Sequence, residues 1–105
     1  MLPSYVSGTS SQPLLGETIG GCLDRIAGAH PDMEALVSCH QSLRYTYAGL
    51  KSEADRIARG LLSLGVEKGD RVGIWSPNCA EWAIVQYAAA KAGAILVNIN
   101  PAYRT

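Results

Sequence analysis

The sequence predicts an α/β chain: a helix, a β-hairpin, a second helix, then a βαβ unit. Three observations carry that reading. Leu50, Ala54, Ile57, Ala58, Leu61 and Leu62 recur at helical spacing, while Lys51, Glu53, Asp55, Arg56 and Arg59 fill the opposite face. Two short strand-like runs, residues 71–75 and 95–99, enclose an apolar helical stretch, and the second run is continuously apolar, as strands inside parallel sheets are. Upstream, residues 34–39 and 43–45 form another pair of strand-like runs around a short connection.

In chain order, residues 1–16 show no periodicity and are rich in Ser, Gly, Thr and Pro, which predicts a flexible lead-in to a domain running over residues 17–105. Ile19, Cys22, Leu23, Ile26 and Ala27 then follow helical spacing, with Thr18 as N-cap and Pro31 setting the end. Gly20, Gly21 and Gly28 weaken that helix by up to ~1 kcal/mol each, so it needs packing to form. The run 34–39 is expected to pair antiparallel with 43–45 through His40-Gln41-Ser42, which lacks an Asn-Gly hairpin signal. Thr46 opens the second helix, where Asp55 and Arg59 stand as an acid-first i,i+4 pair worth a few tenths of a kcal/mol. Gly65 is placed to end it.

Lys68-Gly69-Asp70 turns the chain into the strand 71–75. Asn78 to Glu81 has capping-box spacing, predicting a helix over 79–92 with Asn78 as cap. That helix is apolar almost all round, so it is expected to be covered on more than one side. Gly93 stops it, and the strand 95–99 completes a βαβ unit of right-handed crossover. Two parallel strands make too small a sheet to stand alone, which predicts the beginning of a longer α/β domain.

Composition excludes several function classes. Hydrophobic residues make up 48% and charged residues 17%, a globular balance. Nine basic residues cancel nine acidic ones, so no net field recruits nucleic acid or an anionic membrane. The low charge fraction also suggests surface covered by more protein. Cys22, Cys39 and Cys79 match no zinc spacing and are expected to be buried, reduced thiols in a cytoplasmic protein. No basic region leads into an apolar run at the N-terminus, so no secretory signal is expected. Residues 82–97 are too interrupted, by Gln86, Lys91 and Gly93, for a membrane span.

Four places in the sequence are candidates for chemistry. A strand feeding a helix is where nucleotides often sit. Here, however, the loop Trp75-Ser76-Pro77-Asn78 has no glycine, Pro77 has no N–H to give, and Glu81 opposes an anion; it reads as a plain βα connection. The small-residue run Ser7-Gly8-Thr9-Ser10-Ser11-Gln12-Pro13 follows no strand and lacks a lysine, so it reads as lead-in. His30, near Asp32, and His40, in a turn, have no partner at dyad spacing. Trp75, Trp82 and Tyr87 fall at core positions. No residue is assigned a catalytic, cofactor-binding or metal-binding role.

The run Leu43-Arg44-Tyr45-Thr46-Tyr47-Ala48-Gly49-Leu50 resembles the start of the long N-terminal domain of the adenylate-forming superfamily. Residues 54–104 are similar to its AMP-forming acyl-CoA synthetases, of the fatty-acid–CoA ligase type. Gly65-Val66, Gly69-Asp70-Arg71-Val72, Pro77-Asn78 with Glu81-Trp82, Lys91-Ala92-Gly93-Ala94 and Asn98-Ile99-Asn100-Pro101 carry the likeness. Pro31-Asp32 and Glu34-Ala35-Leu36-Val37 extend it upstream, to cover about residues 18–104.

The resemblance implies the incomplete beginning of a large AMP-binding domain. It also implies a parent enzyme, an acid–thiol ligase that uses ATP and Mg²⁺ to turn a fatty or other carboxylic acid into an acyl-adenylate. Coenzyme A then displaces AMP. The family's phosphate loop, magnesium-binding glutamate, ribose-binding aspartate and C-terminal lysine are expected downstream. These residues alone are therefore expected to be inactive, to bind none of ATP, Mg²⁺ or CoA, and to self-associate or need the rest of the chain. The alternative is a stand-alone interaction module that keeps the scaffold without catalysis. One departure stands out: Gly49 occupies a position where the family pattern suggests glutamate.

Overall fold

The first and second helices start in the same way. In each, a threonine in extended backbone accepts a hydrogen bond from the N–H three residues on. Thr18 takes Gly21 N at 3.0 Å for α1 (Ile19–Ala29), and Thr46 takes Gly49 N at 3.1 Å for α2 (Tyr47–Ser63). The structure, a computed structural model, describes residues 4–6 and 8–104. Residues 4–6 and 8–16 are exposed and form no helix or strand, while Ser7 of the small-residue run lies outside the described residues.

Between α1 and α2 lies the hairpin. β1 (Glu34–Ser38) pairs antiparallel with β2 (Leu43–Thr46), with a register irregularity between Glu34 and Leu36. Their connection is a single 3₁₀ turn (Cys39–Gln41) closed by Ser42 in the left-handed region, φ 54°. Ser42 thus supplies the positive φ that an Asn-Gly turn would otherwise provide.

α2 and α3 (Ala80–Ala92) also end alike. Gly65 N–H bonds to Leu62 O and Val66 N–H to Leu61 O; Gly93 N–H bonds to Ala90 O and Ala94 N–H to Ala89 O. Both glycines have positive φ, +90° and +78°, and both ends are Schellman motifs. β3 (Arg71–Trp75) and β4 (Ile95–Ile99) flank α3 and pair in parallel, Arg71 opposite Ile95 through Trp75 opposite Ile99. The molecule therefore has two separate two-stranded sheets joined by helices.

The core forms where the three helices meet. Leu23, Leu50, Ala54 and Ile84 are its buried centre, and Leu36, Tyr45, Ile57 and Tyr87 pack around them. Burying a side chain of Leu or Ile size stabilises by roughly 1.5–3 kcal/mol, so this small cluster is a large share of what holds the helices together.

Several expectations need correction. α3 begins at Ala80 with Cys79 at the cap position, and no side chain of its own caps it, so Asn78 is not the N-cap. Leu62 is exposed, one position beyond the buried stripe of α2. Cys22 and Cys79 are only half-buried and Cys39 is exposed; all three are free. Trp75 is 56% exposed, so it is no core residue, whereas Trp82 and Tyr87 are half-buried. Ile95, Val97 and Ile99 of the continuously apolar strand are also exposed. They share the outward face, where they stay 36–48% exposed. No helix among the described residues is long and apolar enough to cross a membrane.

Candidate functional site

Ligands of parallel sheets sit outside the carboxyl ends of the strands. Here those ends open on a cleft of about 590 Å³. Ser76, Pro77 and Asn78 after β3 line one side, Asn98, Asn100, Pro101 and Tyr103 at and beyond the end of β4 the other, and Trp82 of α3 also contributes. Asn100 organises the second wall. Its carbonyl accepts from Trp75 Nε1–H at 3.1 Å and from Tyr103 N–H at 3.0 Å, and its Oδ1 accepts from Ala102 N–H at 2.9 Å. On the first wall, Ser76 Oγ–H donates to Pro77 O at 2.9 Å and lies 3.4 Å from Cys79 Sγ.

The cleft offers amides and hydroxyls to a neutral ligand, and its walls contain no carboxylate, histidine or lysine. No histidine or lysine lines the cleft to activate Ser76 or Cys79. A phosphate also finds no cradle. The first N–H of α3 is already taken, because Ala80 N–H donates to Gln41 Oε1 at 2.8 Å. Glu81, in the first helical turn, accepts from Gln41 Nε2–H at 2.8 Å. That hydrogen bond, aided by the backbone N–H of Glu81 itself, holds its carboxyl below the usual range, so the helix start carries a negative charge.

Gln41 is the residue that sequence reasoning missed. Its side chain reaches from the hairpin turn to the start of α3 and also accepts from Ser38 Oγ–H at 2.6 Å. No local pattern reveals a cap supplied from 39 residues away. His40 stands 3.5 Å from Ser38 Oγ through Nδ1, but that hydroxyl donates to Gln41 Oε1 at 2.6 Å, and exposed His30 ends α1.

The strongest electrostatic feature lies elsewhere. Lys91 Nζ of α3 donates to Asp24 Oδ1 of α1 and to Asp55 Oδ1 of α2, each at 2.5 Å. Lys51 Nζ donates to Asp55 Oδ2 at 2.7 Å and stands 3.7 Å from Asp24. The Lys91 side chain is 11% exposed. Burial works to lower its pKa, but the hydrogen bonds and charges of Asp24 and Asp55 outweigh it, and the net shift is upward. For Asp55 burial works upward and is outweighed by Lys51 and Lys91, so its pKa falls. The predicted Asp55–Arg59 pair is therefore not made. Asp55 turns inward instead, where two ammonium groups meet it in a less polar setting than solvent offers. A lysine held charged in this way is a structural cation, not a nucleophile.

Among the described residues no group of three His, Cys, Asp or Glu side chains is placed to hold a metal ion. At the start of α3, the occupied Ala80 N–H and the charged Glu81 do not fit the phosphates of ATP.

The AMP-binding enzyme family matches residues 23–105. Mouse medium-chain acyl-CoA ligase ACSF2, mitochondrial, is 49% identical over 102 residues, which are 97% of this chain and 17% of that protein. A fatty acyl CoA synthetase of Mycobacterium tuberculosis superposes with a TM-score of 0.79 at 40% identity, over 82% of this chain and 17% of the other. The N-terminal domain of FACL13, also from Mycobacterium tuberculosis, gives 0.78 at 40% identity, over 81% of this chain and 22% of that one. The α/β architecture is thus that of the N-terminal domain of adenylate-forming acyl-CoA synthetases, and the chain spans about 17% of the length of the ligase it matches.

The cytoplasmic expectation is overturned, since the ACSF2 relatives in mouse, rat and human are mitochondrial proteins. Unpaired cysteines separate oxidising from reducing surroundings and cannot tell one reducing compartment from another.

Proposed function

The chain belongs to the AMP-binding enzyme family, and from that premise we propose that the whole protein is an acyl-CoA ligase. It activates a carboxylic acid with ATP to an acyl-adenylate and transfers the acyl group to coenzyme A. The acid is a medium-chain fatty acid, as the ACSF2 name has it, and the setting is mitochondrial. The single observation that supports this reading is the 49% identity with ACSF2 along 97% of the chain. Mg²⁺ supplies charge neutralisation at the phosphates in such chemistry.

The residues described above perform no step of that reaction. They hold three helices on a small core, cap α3 from the hairpin, and set a neutral cleft at the strand ends. The test is ATP–pyrophosphate exchange with fatty acids of graded length, run on the whole protein and on these 105 residues alone. Exchange is expected in the whole protein, greatest with medium-chain acids, and none in the isolated chain. Exchange by the isolated chain, or none by the whole protein with any carboxylic acid, overturns the reading. Fractionation of cells expressing the tagged whole protein checks the mitochondrial setting.

A further inference from the structure

α1 is intrinsically the weakest helix. Gly20, Gly21 and Gly28 interrupt it, its first turn has no acid and its last no base. Leu23 and Ala27 are its only buried side chains. What crosses it most closely is Lys91 of α3. A Cβ at Gly20 would lie 2.8 Å from Lys91 Cγ, so the stem of that lysine runs against bare α1 backbone before its ammonium reaches Asp24 one turn on.

Just beyond α1 the chain is pinned to α2: Ala48 N–H bonds to Pro31 O and Tyr47 N–H to Met33 O. The segment after α1 is therefore fixed while α1 itself is not held by any backbone bond to α2 or α3. We propose that α1 opens as a separate unit about Pro31, and that Lys91 is its latch.

The charges on all three helices favour such a device. Asp24 is on α1, Lys51 and Asp55 on α2, and Lys91 on α3. When α1 leaves, Asp24 returns to water, to which it is already half-exposed. Lys91 and Lys51 both keep Asp55, so no buried charge is left without a partner. Opening therefore breaks the two contacts of Asp24, with Lys91 and with Lys51, and leaves no buried charge without a partner. It also uncovers Leu50 and Ile84, which pack with Leu23 in the closed form.

Hydrogen–deuterium exchange on the full chain, read on peptides of each helix, tests this. α1 amides of the unmodified protein are expected to exchange faster than those of α2 and α3. Lys91→Met keeps the apolar stem and removes the ammonium, and it is expected to speed α1 exchange roughly tenfold while α2 and α3 change by less than about twofold. Should Lys91→Met fail to fold, Asp24→Asn, which alters only α1, decides the matter in the same direction. Exchange of α1 at the rate of α2 and α3 in the unmodified protein, or an unchanged α1 in Asp24→Asn, overturns the proposal.

Discussion

Gln41 joins three parts of the chain through one amide. Its Oε1 serves Ser38 and Ala80 N–H, and its Nε2 serves Glu81. Gln41→Ala leaves the partly buried Ala80 N–H without a partner and is expected to cost ~1–2 kcal/mol in urea denaturation. Gly49 is the opposite case. It stands at N3 after the Thr46 cap, and an added Cβ would meet Thr46 Oγ1 at 3.4 Å and Tyr45 Cδ1 at 3.7 Å, ordinary contacts. Gly49→Glu completes the capping box and is expected to raise stability by ~0.5–1.5 kcal/mol, read as a higher melting temperature. The caps at Thr18 and Thr46 were legible because donor and acceptor lie three residues apart. The cap on α3 was not, because Asn78 and Glu81 mimic a local box while the true acceptor sits in the hairpin turn.

At the scale of the element, the helix ends were readable and the helix faces less so. Gly65 and Gly93 announce their stops by residue type alone, since both need positive φ. Gly93→Ala would strain that φ and press on Lys68 Cγ, 3.3 Å from the added carbon; a cost of ~1–2 kcal/mol is expected in thermal melts. Asp55 shows the limit of spacing rules. Its i,i+4 neighbour Arg59 fits the local pattern, but Lys51 and Lys91 bind it, and only the packing of α3 brings Lys91 there. The junction also sets a pH response. Asp55 has a lowered pKa, so its contribution is complete above the ordinary value of 3.8 and is lost as pH falls through the lower folded value. Lys91 has a raised pKa, so its contribution is complete below 10.5 and is lost as pH rises through the higher folded value. Urea midpoints across pH should therefore fall at both extremes, and Lys91→Met should flatten the alkaline limb.

For the molecule as a whole, the order of elements and both strand pairings were legible, because hydrophobic period and turn residues agree along the chain. The exposure of β4 was not. A continuous apolar run signals cover on both faces, and these residues bring only one cover, α3; Trp75, Ile95, Val97 and Ile99 stay outward. Prepared alone, the chain is expected to associate through that face and the open strand edges, with a mass by light scattering that rises with concentration. Val97→Lys should lower that mass, and a monomer at high concentration would contradict the expectation. Of the cleft at the strand ends, the loop Trp75 to Asn78 was legible, whereas the wall that Asn100 builds through its backbone and side-chain hydrogen bonds was not.

The long reach of Gln41 has a consequence in time. Ribosomes add ~5–20 residues per second, so the 39 residues between Gln41 and Ala80 take roughly 2–8 s to make. A hairpin closes in about 1–10 μs. During synthesis the amide that receives α3 is thus in place long before the helix emerges, and each new chain meets its cap already waiting.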